Sequence, residues 1–315
     1  MAATEQRRVA AAVDVGSNSV HLLVAELVAR PPAGRDLVHL HEESVLLGLG
    51  NVVDGQGSLP ESTRLGVLGT LAELRRVAQV QGASTVTFIG TEPLRRASNA
   101  AQMCDEVEGA FGRPLLVLSE RAEAQLTYLG VTGARPLRVP LLIVDIGGGS
   151  TEVIVARSDH PPEFHSLASG SGRLANGIVL HDPPTPSEFD RLRAGARSLV
   201  GSLPPGEASS ATFVGGTATN LVRLVPLSAA GLEEAHGLLT SLTVDELVQR
   251  YGMNPLRARQ MPAGAAIVEA LLDHFRPTTV EASQASLRDG AILAADWLGE
   301  SWPANLDQLV LPEGR

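Results

Sequence analysis

The stretch Leu141–Arg157, LLIVDIGGGSTEVIVAR, decides the fold that this sequence predicts. Its first apolar run is short enough for a buried strand, Gly147–Gly149 allow a tight turn, and Val153–Val155 leave the turn as a second strand. Successive N–H groups in such a turn suit phosphate oxygens, and Asp145 or Glu152 at its rim could share a divalent cation with the phosphate. A plain hairpin with a glycine bulge would give the same local pattern, so the rest of the chain must decide between a phosphate-binding turn and a plain hairpin.

An earlier stretch, Val9–Leu27, resembles this one. Asp14 aligns with Asp145 and Gly16 aligns with Gly147, so each unit has an aspartate at the end of its first strand. Self-similarity at a long period indicates repeated architecture. The two stretches therefore predict a chain built from duplicated halves, with coincidence between two glycine hairpins as the alternative.

The segments after the first hairpin alternate between helix and strand. A third strand over 36–49 is followed by a helix from Pro60 to about Gly82, a buried strand at Thr85–Gly90, and a helix to about Phe111. A strand at 115–118 and a helix at 120–129 complete the half, and the second hairpin restarts the pattern. This order predicts three-layer α/β domains. Because ligands gather at the carboxyl ends of strands in such folds, we expect an interdomain cleft to hold the site.

Composition excludes several functions. The 315 residues suit one large or two ordinary domains, and a formal net charge of −10 argues against nucleic acid or an acidic membrane as partner. All 25 basic residues are arginine, which excludes a lysine-based phosphate loop. Cys104 is the only cysteine and no apolar run reaches the length of a membrane span, so we expect a cytoplasmic protein without an intrachain disulfide.

Eight segments, in order along nearly the whole chain, resemble the exopolyphosphatase/guanosine pentaphosphate phosphohydrolase family. They are DVGSNSVHLLV (Asp14–Val24), TEPLRRASN (Thr91–Asn99), SERAEAQLTYLGV (Ser119–Val131), VDIGGGSTEV (Val144–Val153), GSGRL (Gly170–Leu174), VGGTATNL (Val214–Leu221), MPAGAAIVEALL (Met261–Leu272) and SLRDGAI (Ser286–Ile292). That family belongs to the actin, sugar-kinase and heat-shock-chaperone ATPase superfamily. The resemblance implies two ribonuclease H-like domains, residues 1–122 with 296–315 and residues 123–295, around an interdomain cleft.

The resemblance also implies an activity. The family releases terminal orthophosphate from inorganic polyphosphate, or the 5′ γ-phosphate from guanosine pentaphosphate, with a divalent metal that is usually magnesium. We therefore expect polyphosphate as the partner, with guanosine pentaphosphate or tetraphosphate as the alternative, and a homodimer.

Family roles transfer to this chain residue by residue. By position, Glu123 matches the catalytic glutamate that acts on the attacking water, Asp145 and Glu152 match the acids near metal and water, and Arg95 matches the arginine that holds substrate phosphates. The matches to the phosphate-binding loops are Ser17, Asn18, Gly147, Gly148, Gly149, Ser150, Gly216 and Thr217.

One departure concerns the catalytic acid itself. The family often has Glu-Glu-Ala-Arg around it, whereas this chain has Ala122–Gln125 (AEAQ), which predicts an altered pKa or an altered anchoring of Glu123. Three other functions stay open: hydrolysis of guanosine pentaphosphate, ATP-dependent transfer by a kinase-like relative, and non-catalytic sensing of polyphosphate or the alarmone. Phosphate release, transfer to an acceptor, or binding alone would discriminate them.

Overall fold

The computed structural model describes residues 8–29 and 35–310 and contains two compact units. Unit 1 takes in the described residues up to Ala134 together with Leu287–Leu309, and unit 2 takes in Arg135–Ser286. The sequence placed these limits at 122/123 and 295/296. The structure differs because each of those positions falls inside a continuous helix, Glu120–Thr132 or Leu287–Leu298, that belongs entirely to unit 1.

Both units begin with three strands, two helices and a fourth strand, and further helices lead to a fifth strand. Unit 1 begins with β1 (Arg8–Val15), β2 (Ser19–Ala29), β3 (Arg35–Leu46), α1 (Leu49–Gln56), α2 (Glu61–Val80), β4 (Thr85–Gly90), α3 (Glu92–Arg96), α4 (Ala100–Phe111), β5 (Leu115–Val117) and α5 (Glu120–Thr132). Unit 2 contains β6 (Leu141–Ile146), β7 (Thr151–Ala156), β8 (Glu163–Leu167), α6 (Ser171–Ala175), α7 (Pro186–Val200), β9 (Ser210–Val214), α8 (Gly215–Leu224), α9 (Ala229–Leu239), α10 (Val244–Tyr251), α11 (Pro255–Phe275) and β10 (Thr279–Ala282). The chain then forms α12 (Leu287–Leu298), α13 (Trp302–Asn305) and α14 (Asp307–Val310). None of the described helices is long and apolar enough to cross a bilayer.

The two units share one sheet topology. Unit 1 has the strand order β3-β2-β1-β4-β5, and unit 2 has the equivalent order β8-β7-β6-β9-β10. In each sheet the first three strands of the chain pair antiparallel, and the central strand pairs parallel with the strand that follows the first helices. These mixed five-stranded sheets confirm the predicted fold class, two α/β halves of the same sheet topology.

The alternation of side chains along β1 decides on which face of the unit 1 sheet Asp14 lies. Val13 and Val15 lie in the core formed with α2 and α4, whereas Ala10 and Ala12 lie in the core formed with α5 and α12. Successive side chains of a strand point to opposite faces. Asp14 therefore lies on the face of Ala12, which is the face that α5 covers.

Helices α5 and α12 approach each other at backbone distance. A Cβ atom at Gly290 of α12 would collide with the main-chain oxygen of Leu126 and would lie 2.6 Å from its carbonyl carbon. Only glycine permits this approach. The position of α5 therefore depends directly on α12, which is far away in sequence.

A histidine joins the edge strand β3 to α12. His39 contacts the buried Asp289 carboxylate through Nε2 at 2.6 Å and the Glu42 carboxylate through Nδ1 at 2.7 Å. The hydrogen bond to Asp289, followed by that to Glu42, raises the pKa of His39 to about 9. An imidazolium with two carboxylate partners favours the folded state.

We expect the free energy of unfolding to fall as pH rises from 6.5 through 9, by about 3 kcal/mol from His39 alone. The sign follows because the folded state holds this proton more tightly than the unfolded chain, so the stabilisation is complete below pH 6.5 and is lost above 9. Urea unfolding between pH 6 and 10 measures it. His39→Gln should flatten the profile, whereas the exposed His160→Gln should not; equal slopes in both variants would contradict the assignment.

Candidate functional site

The turn between β1 and β2 is held from behind by α1. The carbonyl of Ser17 accepts from the N–H of Gly50 at 2.8 Å, and the carbonyl of Asn18 accepts from the N–H of Gly48 at 2.9 Å. In a planar trans peptide the N–H points opposite to the carbonyl. The N–H of Asn18 is therefore directed away from α1.

The turn between β6 and β7 has the same arrangement in unit 2. The carbonyls of Gly147 and Gly148 accept from the N–H groups of Ser171 and Arg173, both at 2.9 Å. By the same geometry, the N–H groups of Gly148 and Gly149 point away from α6. Two successive donors on one side of a glycine turn suit an anion.

The turn between β6 and β7 also requires a glycine at position 170, which packs against it. A Cβ at Gly170 would collide with the Gly147 oxygen and would lie 2.6 Å from the Ser150 oxygen. Ser150 itself is buried and its carbonyl accepts from the N–H of Gly147 at 3.0 Å. The shape of the turn therefore depends on close backbone packing by the residue before α6.

Two carboxylates flank the unit 2 turn. Asp145 and Glu152 are directly paired across β6 and β7, so their side chains lie on the same face of the sheet. Both are buried, at 9% and 1% exposure. Ser166 Oγ donates to Glu152 at 3.3 Å, and the turn into α8 packs so closely that a Cβ at Gly215 would collide with Asp145 Oδ1.

This pair fits a divalent cation that is completed by substrate. The described residues contain no group of three histidine, cysteine or acidic side chains that would hold a metal unaided. Magnesium is commonly bound by one or two carboxylates together with water and substrate phosphates. The adjacent N–H donors of the glycine turn suit the phosphate part of such a ligand.

Helix α8 begins beside an arginine that sequence reasoning missed. The guanidinium of Arg257, on α11, occupies the space that a side chain at Gly216 would need. Burial lowers the pKa of Arg257, and the nearby Asp145 carboxylate opposes that shift. An arginine stays protonated in proteins, so it adds a positive charge at the start of α8. Only the close approach at Gly216 reveals it, since the surrounding PLRARQ reads as ordinary helix.

The Thr217 side chain points towards α6 and not towards the side of the glycine turn from which the N–H groups of Gly148 and Gly149 project. Its hydroxyl donates to Ser171 Oγ at 3.3 Å, and Ser171 Oγ donates to the carbonyl of Gly147 at 3.2 Å. Thr217 is almost fully buried. This chain of hydroxyls ties α8, α6 and the glycine turn together.

In unit 1 the structure brings Arg95 and Glu123 together. Arg95 Nη1 donates to Glu123 Oε2 at 2.5 Å and to the carbonyl of Leu118 at 3.1 Å. Glu123 is buried in the first turn of α5, whose N-cap Ser119 accepts from the N–H of Ala122 at 3.1 Å. A charge-assisted pair of this kind fixes the direction of the carboxylate.

The departure at Gln125 has a structural counterpart. Its side-chain amide donates to Asp307 Oδ1 at 2.6 Å, so this neighbour of Glu123 binds the C-terminal segment of unit 1. Arg121 of the same helix pairs with the same oxygen at 3.1 Å. Glu123 is anchored by Arg95, while Gln125 anchors its helix.

Ser17 also has a partner that sequence reasoning missed. Its hydroxyl donates to the buried Glu92 carboxylate at 2.6 Å. Glu92 opens α3, in the segment where the sequence singled out Arg95. Within unit 1 the predicted residues thus form two groups, the Ser17–Asn18 turn and the Arg95–Glu123 pair; within unit 2 they cluster at the turn, its two acids and the start of α8.

Comparison with known proteins identifies the family of this chain. A model of the Ppx/GppA phosphatase family matches residues 27–297. Exopolyphosphatase 1 of Mycobacterium tuberculosis is 28% identical over 302 residues, which cover 89% of this chain and 86% of the relative. A putative exopolyphosphatase of Haemophilus influenzae is 26% identical over 300 residues, which cover 91% of each chain.

Solved structures show the same fold. An Aquifex aeolicus member of the Ppx/GppA family has a TM-score of 0.76 at 24% identity, over 92% of this chain and 98% of that one. An exopolyphosphatase from Cytophaga hutchinsonii has a TM-score of 0.78 at 22% identity, over 90% of this chain and 96% of that one. With the family model spanning most of the sequence, the chain belongs to the Ppx/GppA phosphatase family.

Proposed function

We propose that this protein is an exopolyphosphatase that releases terminal orthophosphate from inorganic polyphosphate. The observation that carries the proposal is the buried Glu123 carboxylate, which Arg95 holds in one direction at 2.5 Å. A fixed carboxylate can accept a proton from water and aim the oxygen at phosphorus. The names of the relatives from Mycobacterium and Haemophilus point to the same substrate.

Backbone donors supply most of the phosphate binding in this proposal. The N–H groups of Gly148 and Gly149 face away from α6, and that of Asn18 faces away from α1. Gly216 at the start of α8 and the Arg257 guanidinium add further positive potential. We propose that these groups bind phosphates of the polyphosphate chain.

Asp145 and Glu152 would hold a divalent cation, which we propose to be magnesium. A bound cation would neutralise charge on the phosphoryl oxygens and so ease attack by water. The chain's own part is to keep the two carboxylates on one face of the sheet, buried and directly paired. Their burial limits competing water.

The proposed reaction is a single displacement. Glu123 takes a proton as the water oxygen forms a bond to the terminal phosphorus, and the bond from that phosphorus to the bridging oxygen breaks. Orthophosphate and a chain shorter by one phosphoryl group leave. Arg95 keeps Glu123 oriented throughout and stabilises its charge by the hydrogen bond at 2.5 Å.

The decisive experiment measures phosphate release from short polyphosphate, long polyphosphate, guanosine pentaphosphate and ATP, with magnesium and with EDTA. We expect release from polyphosphate, with a higher kcat/KM than from the two nucleotides, and loss of release in EDTA. Preference for guanosine pentaphosphate would support the alarmone reaction instead. Transfer from ATP to an acceptor would indicate a kinase, and binding without release would indicate a sensor.

We also propose that the protein works in the cytoplasm. Cys104 is the only cysteine of the sequence and is half-buried, and burial raises the pKa of its thiol. A thiol in that state is a poor nucleophile. We infer that Cys104 packs as a reduced thiol, which is the usual state of cysteine in the cytoplasm.

A further inference from the structure

One face of α11 lies against the elements that shape the glycine turn between β6 and β7. Arg257, Gln260 and Gly264 share this face, because residues three and four apart are neighbours on a helix. Arg257 fills the space beside Gly216, and a side chain at Gly264 would collide with Thr217. Gln260 lies between these two contacts, where α11 packs on α6. It therefore lies behind the helix that braces the turn.

The Gln260 amide and the Gly148 carbonyl border the same small space. A Cβ at Gly172 would lie 2.8 Å from Gln260 Nε2 and 3.0 Å from the Gly148 oxygen, both closer than a Cβ usually approaches. The N–H of Arg173 already donates to the Gly148 oxygen at 2.9 Å, but a carbonyl oxygen has a second lone pair. Gln260 can therefore act on this carbonyl in addition to α6.

Gln260 is chemically unlike the residues around it. It is 6% exposed, and it is the one amide among the buried residues of α11, a helix that the structure describes in full. Burying an amide costs free energy unless the amide makes polar contacts, and an aliphatic side chain would fill the same volume without that cost. The role of Gln260 therefore lies in its amide.

The Gly148–Gly149 peptide is the group that this amide can support. Glycine populates both signs of φ, so a peptide between two glycines can turn over with little steric cost. In the observed orientation the carbonyl of Gly148 faces α6, and the N–H of Gly149 faces away from it. Turned over, the peptide would present an acceptor to phosphate oxygens, which are acceptors themselves.

We propose that Gln260 is a positioning residue that keeps the Gly148–Gly149 peptide in its phosphate-binding orientation. Its amide, beside the Gly148 carbonyl, favours the orientation in which that oxygen faces α6. The inference rests on the proposed function for the phosphate that the turn binds, and all of its residues belong to unit 2. Gln260 precedes the segment Met261–Leu272 by one position, so the sequence motifs did not single it out.

The test follows the amides of the Gly-Gly peptide bonds by nuclear magnetic resonance. The sequence contains three such bonds, 147–148, 148–149 and 215–216. In protein labelled with glycine that carries ¹³C in its carbonyl and ¹⁵N in its amide, an HNCO spectrum therefore shows only Gly148, Gly149 and Gly216. Gly149→Ala removes the Gly149 signal and so assigns it. When inorganic phosphate is added to the parent, we expect the Gly149 resonance to shift because its N–H donates to phosphate.

Gln260→Met keeps the length of the side chain and removes the amide. The Gly149 shift should then fall to less than half of its parent value. The responses of Gly148 and Gly216 should stay as in the parent, because the carbonyls of their peptides accept from Ser171 and Thr219. KM for polyphosphate should rise about tenfold, as loss of one hydrogen bond to a charged group implies, with kcat within about threefold.

Two further variants make the comparison independent of one substitution. Gly172→Ala displaces the Gln260 amide without removing it, so it should reduce the Gly149 shift in the same way and decides the matter if Gln260→Met does not fold. The double variant should lose little more than either single one. Gln125→Met is the matched control, because it removes another buried amide, at 4% exposure, in unit 1. It should leave all three resonances as in the parent.

The opposite results are equally clear. An unchanged Gly149 shift in Gln260→Met would make Gln260 a packing residue and overturn the inference, as would an equal loss at all three amides. A parent in which phosphate moves none of these resonances would overturn it too. A parent that binds phosphate but releases none from polyphosphate would remove the proposed function, and the titration would still decide the role of Gln260.

Discussion

Glu123→Gln should lower kcat for phosphate release by roughly a thousandfold with little change in KM. The amide keeps the size of the side chain but cannot accept a proton from water, and general-base catalysis is worth about 10²–10⁴-fold in rate. Because Arg95 donates to Glu123 at 2.5 Å, a glutamine can keep that hydrogen bond through its oxygen. Steady-state kinetics on polyphosphate, with a melting curve to confirm folding, measures the effect.

The control for this variant lies on the same helix. Glu120 is exposed in the first turn of α5, so Glu120→Gln removes the same charge near the same helix end without touching the Arg95 pair. It should retain at least half of the parent kcat, since an exposed residue outside the pair takes no part in proton transfer. Retention of near-parent turnover by Glu123→Gln would remove the catalytic assignment.

Gly170→Ala should cost about a hundredfold in kcat/KM and about 2 kcal/mol in stability. The new methyl group collides with the Gly147 oxygen and lies 2.6 Å from the Ser150 oxygen, so the glycine turn must move. A displacement of about 1 Å in a group that holds the substrate can cost two orders of magnitude in rate. Kinetics together with urea unfolding measures both effects.

Gly237→Ala is the matched control within unit 2. It lies exposed near the end of α9, and a Cβ there would meet no heavy atom within 4 Å. Alanine is the better helix former, so stability should rise by about 0.5 kcal/mol and activity should stay unchanged. Equal behaviour of the two alanine variants would mean that the turn does not depend on the close approach at Gly170.

The fold was largely predictable because its signals are local. In each half, an apolar strand, a glycine turn and a second strand follow one another directly in the sequence. The apolar residues of the later helices recur at helical spacing. The sequence did not predict the short helix α1. It follows Gly48 in a left-handed conformation, and its sequence LGNVVDGQ contains two glycines and an asparagine, which are poor helix formers. Helix α6 is only five residues long, follows Gly170 and contains Gly172. Both are held by the turns that they brace rather than by helix propensity.

The site was less predictable because its partners are distant in sequence. Glu92 meets Ser17 across 75 positions, and Arg95 meets Glu123 across 28. Arg257 reaches Gly216 only because α11 packs on α8. Matching of motifs finds site residues that lie in a recognisable stretch of sequence. It does not find residues that reach the site only through packing of distant elements.

The backbone contact between Gly290 and Leu126 has a consequence for synthesis. The two parts of unit 1 are separated by Arg135–Ser286 of unit 2, and the helix that packs against α5 begins only at Leu287. A ribosome must therefore translate this segment of unit 2 before α5, with Glu123, can pack against α12. An isolated segment that ends at Ala134 would contain Glu123 without the helix that supports α5 from the side of Gly290.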